Sequence, residues 1–187
     1  MELAELNTQE TGRFTEEDYY SLPEGVRAEL IDGVFYDMAS PTRIHQELLM
    51  ELAGTIRDYI KSRKGPCRVY PGPFAVKLFA DDKTIVEPDI SVICDPGKLT
   101  DRGCTGAPDW VVEIASPSNS RHDYIRKLNL YSTAGVREYW IVDPGHGQTH
   151  VYTMGDDHFM VKSYAFSETV KAGIFEDFSI DFSEISI

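Results

Sequence analysis

Apolar residues recur along this chain in two rhythms, and the switch between them divides it into elements. Ile44, Leu48, Leu49, Leu52, Ile56, Tyr59 and Ile60 keep to one side of a 3.6-residue repeat. They predict a long amphipathic helix, with Ser40 as N-cap, Pro41 in its first turn and an end near Lys64-Gly65-Pro66. Before it, Ala28–Ile31 and Val34–Met38 flank Asp32-Gly33, a two-residue hairpin signal. Thr15, followed three residues later by Asp18, predicts a short capped helix that stops near Leu22–Gly25.

Beyond the long helix the pattern turns to β-branched and aromatic runs. Arg68–Phe79 and Thr84–Cys94 read as extended arms turned by residues 80–83, and Asp95–Pro108 as a polar connection with room for a short helix. Asp109–Ala115 reads as a strand, Arg121–Ala134 as a helix closed by Gly135, and Val136–Val142 as a second strand ended by Asp143-Pro144-Gly145. Thr149–Ile187 alternates short strands and turns. A strand–helix–strand unit beside hairpins predicts one mixed α/β domain over 14–187, with 1–13 as a flexible N-terminus.

Composition changes this picture little. A chain of 187 residues, 42% hydrophobic, suffices for one core. No run approaches a membrane span, and the acidic N-terminus lacks the form of a signal peptide. Cys67, Cys94 and Cys104 are odd in number without CxxC spacing, which points away from a disulfide frame or zinc site and towards a reducing cytoplasm. A net charge of -13 argues against coating DNA by bulk electrostatics. It leaves a nuclease open, because a bound metal and local basic residues govern the field near a site. Lys61, Arg63, Lys64 and Arg68 form one such cluster, which a solvated helix end also explains; Arg121, Arg126 and Lys127 form another.

The candidate chemistry lies in two acid-bearing runs, Val86-Glu87-Pro88-Asp89-Ile90 and Trp110-Val111-Val112-Glu113-Ile114-Ala115. A carboxylate in an otherwise apolar strand is seldom buried unless it is paired or holds a metal. Asp89 and Glu113 are therefore the leading ligands for Mg²⁺ or Mn²⁺, with the Ile114 carbonyl as a further oxygen. On the following helix Asp123, Lys127 and Tyr131 line one face. Lys127 there either reaches back over the sheet end or forms a plain surface pair with Asp123. His45, in the first turn of the long helix, is placed to touch a phosphate, to hold the Glu29 segment, or to act as a capping or hydrogen-bonded structural group. His146 and His150 read as solvated, and Tyr139 and Trp140 as core.

These runs, together with Glu29-Leu30-Ile31-Asp32-Gly33, Ser40-Pro41 with His45, Asp123, Lys127, Tyr131 and Gly135-Val136-Arg137-Glu138-Tyr139-Trp140-Ile141-Val142-Asp143-Pro144, resemble the Uma-type endonuclease family of the PD-(D/E)XK superfamily. The resemblance implies a restriction-endonuclease-like core: a central mixed β-sheet flanked by helices, with an N-terminal β-hairpin and a C-terminal β extension. Pro88-Asp89 matches the PD element. Glu113-Ile114-Ala115 matches (D/E)XK except that Ala115 replaces the lysine, and the family's displaced lysine corresponds to Lys127. Glu29 matches an extra acidic residue that binds metal directly or through water.

The implied function is metal-dependent cleavage of nucleic acid, DNA first, by Asp89, Glu113 and Lys127, with Glu29, His45 and Asp123 in support. A homodimer is the usual arrangement when both strands are cut. The alternative is a non-catalytic module of the same fold that binds DNA or protein.

Overall fold

The computed structural model describes residues 13–116, 121–155 and 158–185. In chain order the elements are α1 (Glu16–Tyr20), β1 (Ala28–Ile31), β2 (Val34–Asp37), α2 (Arg43–Arg63), β3 (Arg68–Pro71), β4 (Val76–Lys77), β5 (Ile85–Val86) and β6 (Ile90–Ile93). They continue as β7 (Leu99–Thr100), β8 (Gly103–Thr105), β9 (Trp110–Ile114), α3 (Arg121–Ala134) and β10 (Glu138–Asp143). The last are β11 (Gln148–Gly155), β12 (His158–Ala165), β13 (Thr169–Lys171) and β14 (Ser179–Asp181).

The local signals act as their chemistry dictates. Asp32 and Gly33 both take positive φ, 51° and 73°, which lets a two-residue turn join β1 to β2. The Asp18 carboxylate accepts from the Thr15 backbone N–H at 2.8 Å and opens α1. The cap of α2 is Thr42 rather than Ser40: its hydroxyl accepts from the His45 N–H at 3.2 Å. Lys64, in the left-handed region, closes that helix.

The central sheet has the order β12-β11-β10-β9-β6-β3, mixed because only β9 and β10, joined through α3, run parallel. Leu48, Leu52 and Ile56 of α2 pack with Ile90, Trp110, Val112 and Trp140 in one core. A second core joins Tyr131 of α3 to Val111, Tyr139 and Ile141. The sequence therefore foretold the mixed sheet between helices. The stretch from 149 onward lengthens this sheet by β11 and β12, while β13 and β14 pair separately.

The expected N-terminal hairpin β1-β2 is present and forms the edge of a second six-stranded sheet, β2-β1-β5-β4-β8-β7, whereas the expected long arms are corrected. Each expected long arm is split, with β3 and β6 in the central sheet and β4 and β5 in the second. The breaks fall at Gly72-Pro73 and Pro88, where proline has no N–H for the ladder. The two breaks face each other, for the Gly72 N–H donates to the Asp89 carbonyl at 2.8 Å. A Cβ at Gly72 would lie 3.1 Å from the Pro88 carbonyl oxygen, so glycine suits this approach.

A second correction concerns the cysteines. Cys67 and Cys94 form a disulfide. Arg68 pairs with Ile93 across β3 and β6, so the two cysteines continue that antiparallel register. Sequence spacing does not reveal cross-strand neighbours, and the inference from unpaired cysteines to a reducing compartment loses its basis. Cys104 is a buried free thiol. Among the described residues no helix is long and apolar enough to cross a membrane.

Candidate active site

Where the second sheet hands the chain to the central one, a cavity of about 380 Å³ opens between β1, β2, the start of α2, the end of β9 and α3. Glu29, His45, Asp89, Glu113, Ile114 and Lys127 all line it. Five of the six side chains or backbones predicted for the site are thus joined by Glu29, which the resemblance alone supplied. Asp123 begins the same helix, but its side chain lies outside the described residues.

Each position follows from its element. Glu113, the penultimate residue of β9, lies on the C-terminal side of a parallel pair, a place where α/β sheets commonly carry ligands. Lys127 sits one turn before Tyr131 on α3, and both reach the same carboxylate. Glu113 Oε1 accepts from Lys127 Nζ at 2.8 Å and from the Tyr131 hydroxyl at 2.7 Å. Lys127 Nζ also stands 3.0 Å from Glu29 Oε1, so one ammonium bridges carboxylates from both sheets. It is no surface pair: Glu29 and Glu113 are each 5% exposed.

Asp89 is held from two sides. Its Oδ2 accepts from the Ile114 backbone N–H at 2.7 Å, and its Oδ1 lies 3.0 Å from His45 Nε2. The structure thus places His45 in contact with Asp89 at the cavity. Its ring is 8% exposed, and Nδ1 has no partner among the described residues.

The electrostatics follow from burial and crowding. Burial, with Asp89 and Glu29 nearby, pushes the Glu113 carboxyl up to about 7 against the pull of Lys127. Burial alone would lower Lys127, but Glu113 and Glu29 outweigh it and raise its pKa, so the amine stays an ammonium. Burial also works to lower His45, and the Asp89 contact overcomes it to leave a raised pKa.

Sequence reasoning missed the support behind Glu29. Glu29 Oε1 accepts from the Glu87 backbone N–H at 2.9 Å. The Glu87 carboxylate accepts in turn from Tyr19 Oη and from Arg27, each at 2.7 Å. The alternation Glu87, Pro88, Asp89 was a signal, since residues two apart on an extended segment share a side. Tyr19 and Arg27 carried none. His146 and His150 lie away from the cavity, bonded to Asp143 and Ser163, and Tyr139 and Trp140 are core as expected.

Among the described residues, no three His, Cys, Asp or Glu side chains are grouped closely enough to hold a metal as they stand. Chemically the donors suit one. Glu29, Asp89 and Glu113 offer carboxylate oxygens around one cavity, the set that hard divalent cations select.

Comparison with known proteins yields three findings. The family Uma2, described as "Putative restriction endonuclease", matches residues 16–183. An uncharacterized protein of Synechocystis sp. is 24% identical over 163 residues, which is 85% of this chain and 84% of the relative. The crystal structure of a "putative nuclease belonging to DUF820" from Anabaena variabilis superposes with a TM-score of 0.76. That alignment covers 92% of this chain and 97% of the other at 20% identity, a likeness of fold.

Proposed function

The chain belongs to the Uma2 family, matched over 16–183, and on that premise we propose that it is a metal-dependent endonuclease that hydrolyses phosphodiester bonds in nucleic acid, with DNA the first substrate to test. The observation that supports this reading most is the Lys127 ammonium bridging Glu29 and Glu113 beside Asp89 in one cavity. Asp89, Glu113 and the Ile114 carbonyl, with Glu29 directly or through water, would hold Mg²⁺ or Mn²⁺. When bound, such an ion lowers the pKa of water and neutralises charge on the phosphate.

The chain's own groups do the rest. Lys127 holds positive charge next to the scissile phosphate and orients the attacking water; as an ammonium it is no general base. Its transfer from the (D/E)XK position to α3 explains how Ala115 is tolerated, because the amine arrives at the same carboxylate from the helix. His45 fixes Asp89, and Tyr131 fixes Glu113.

The test is cleavage of single- and double-stranded oligonucleotides in Mg²⁺ and Mn²⁺. Cleavage that EDTA, Asp89→Asn and Lys127→Ala each abolish supports the reading. Cleavage that survives both substitutions contradicts it. Two observations favour the non-catalytic module: the net charge of -13 and Ala115 where (D/E)XK has its lysine. DNA binding indifferent to EDTA, with no strand cut, would establish that alternative.

A further inference from the structure

Beside the carboxylates the same cavity has an aromatic wall. Tyr36 of β2 pairs with Glu29 of β1 in the antiparallel register, so the ring stands next to a site carboxylate on the same face. The Arg126 guanidinium lies over that ring, 4.3 Å from its centroid. Arg126 immediately precedes Lys127 on α3, and both line the cavity with Tyr36 and Tyr124. Two elements thus each place a planar group directly beside a group of the proposed catalytic set.

From this juxtaposition we infer that Tyr36 and Arg126 form a stacking platform for an unpaired base flanking the scissile phosphate, so that the substrate is nucleic acid presented as a single strand. The inference rests on the nuclease reading of the site. Within a duplex, bases are stacked and paired and offer no face to a protein ring; a base that stacks on a tyrosine or a guanidinium plane must be unpaired. The cavity, at about 380 Å³, lies at the small end of ligand pockets, a scale that suits a single base. Charge agrees as well. Duplex binding draws on many phosphate contacts, whereas this chain carries a net charge of -13. A platform holding one or two bases gains part of its affinity from stacking. Cutting one strand also needs no second active site.

The test uses the full chain in Ca²⁺ with a 12-nucleotide strand carrying one 2-aminopurine, as DNA and as RNA, and the same strand annealed to its complement. The expected result is tighter binding of the free strand than of the duplex, with quenching of 2-aminopurine on binding. Tyr36→Ala should weaken free-strand binding roughly 5- to 150-fold, the range for losing one base–aromatic stack, while Tyr36→Trp retains it. A preference between DNA and RNA would tell which polymer supplies the base. Duplex bound as tightly as single strand, or a folded Tyr36→Ala binding as tightly as the natural chain, overturns the platform. Duplex cleavage that needs Lys127, without single-strand preference, sinks the platform and leaves the nuclease. Single-strand binding with quenching but no cleavage in Mg²⁺ or Mn²⁺ sinks the nuclease and leaves the platform.

Discussion

Two buried glutamates at opposite ends of the parallel pair β9–β10 have opposite fates. Glu113 is the penultimate residue of β9, and Glu138 begins β10 across from Trp110. Both are removed from water and burial raises the pKa of both. Glu138 is wholly enclosed, and N–H groups answer it: the Trp140 indole at 2.5 Å and the Ile174 backbone at 2.8 Å, with Gly173 adjoining. Those bonds tie the segment after β13 to the central sheet. Glu113 instead faces a cavity shared with two further carboxylates, and its partners are an ammonium and a phenol. A buried carboxylate surrounded by neutral N–H donors is structural. One crowded by other carboxylates around open space has a charge imbalance that a cation can correct.

The largest expected effect is on the cavity side. Lys127→Ala should lower cleavage at least about 100-fold, as removal of a positioned cationic donor does. It should also cost about 3 kcal/mol of stability, because Glu29 and Glu113 lose their shared counter-charge inside the protein. Single-turnover kinetics and urea unfolding measure the two. At the other end, Glu138→Ala should cost about 2 kcal/mol through N–H groups left without an acceptor, with Mn²⁺ binding unchanged. Weaker Mn²⁺ binding in that variant would erase the distinction between the two ends.

The pH dependence sharpens the same contrast. Glu113 is raised from 4.5 to about 7 on folding, so the folded state holds its proton more tightly than the unfolded one. Its contribution to stability is therefore complete below about 4.5 and is lost as pH rises towards 7. Thermal unfolding of the natural chain relative to Glu113→Gln should show that relative loss between pH 4.5 and 7. Mn²⁺ competes with the same proton and should bind more tightly over the same rise. The smallest effect belongs to the support behind Glu29. Tyr19→Phe removes one hydrogen bond to Glu87 and should cost about 1 kcal/mol, with Mn²⁺ affinity a few-fold lower by calorimetry.

Much of this was legible in local chemistry. Asp32-Gly33 specified its turn, the apolar spacing from Ile44 to Ile60 specified α2, and the strand–helix–strand pattern specified β9, α3 and β10. Asp89 and Glu113 stood out because an acid inside a β-branched run demands a reason. Glu138 demanded the same reason and drew no notice, since its answer lies in the distant backbone of Gly173 and Ile174. The division of residues 68–94 between two sheets was hidden for a similar cause: Gly72-Pro73 and Glu87-Pro88 mark breaks, but only tertiary pairing says which sheet each fragment joins. The Cys67–Cys94 bond depends on that pairing too. Lys127 was placed by resemblance, and its bridge between Glu29 and Glu113 became visible only with both sheets assembled.

The most direct measurement is Mn²⁺ binding by calorimetry to the natural chain, Glu113→Gln and Glu138→Gln, each verified as folded. The account predicts binding to the natural chain and to Glu138→Gln, and its loss in Glu113→Gln. Equal binding by all three, or binding lost only in Glu138→Gln, would contradict a metal site at the C-terminal end of β9.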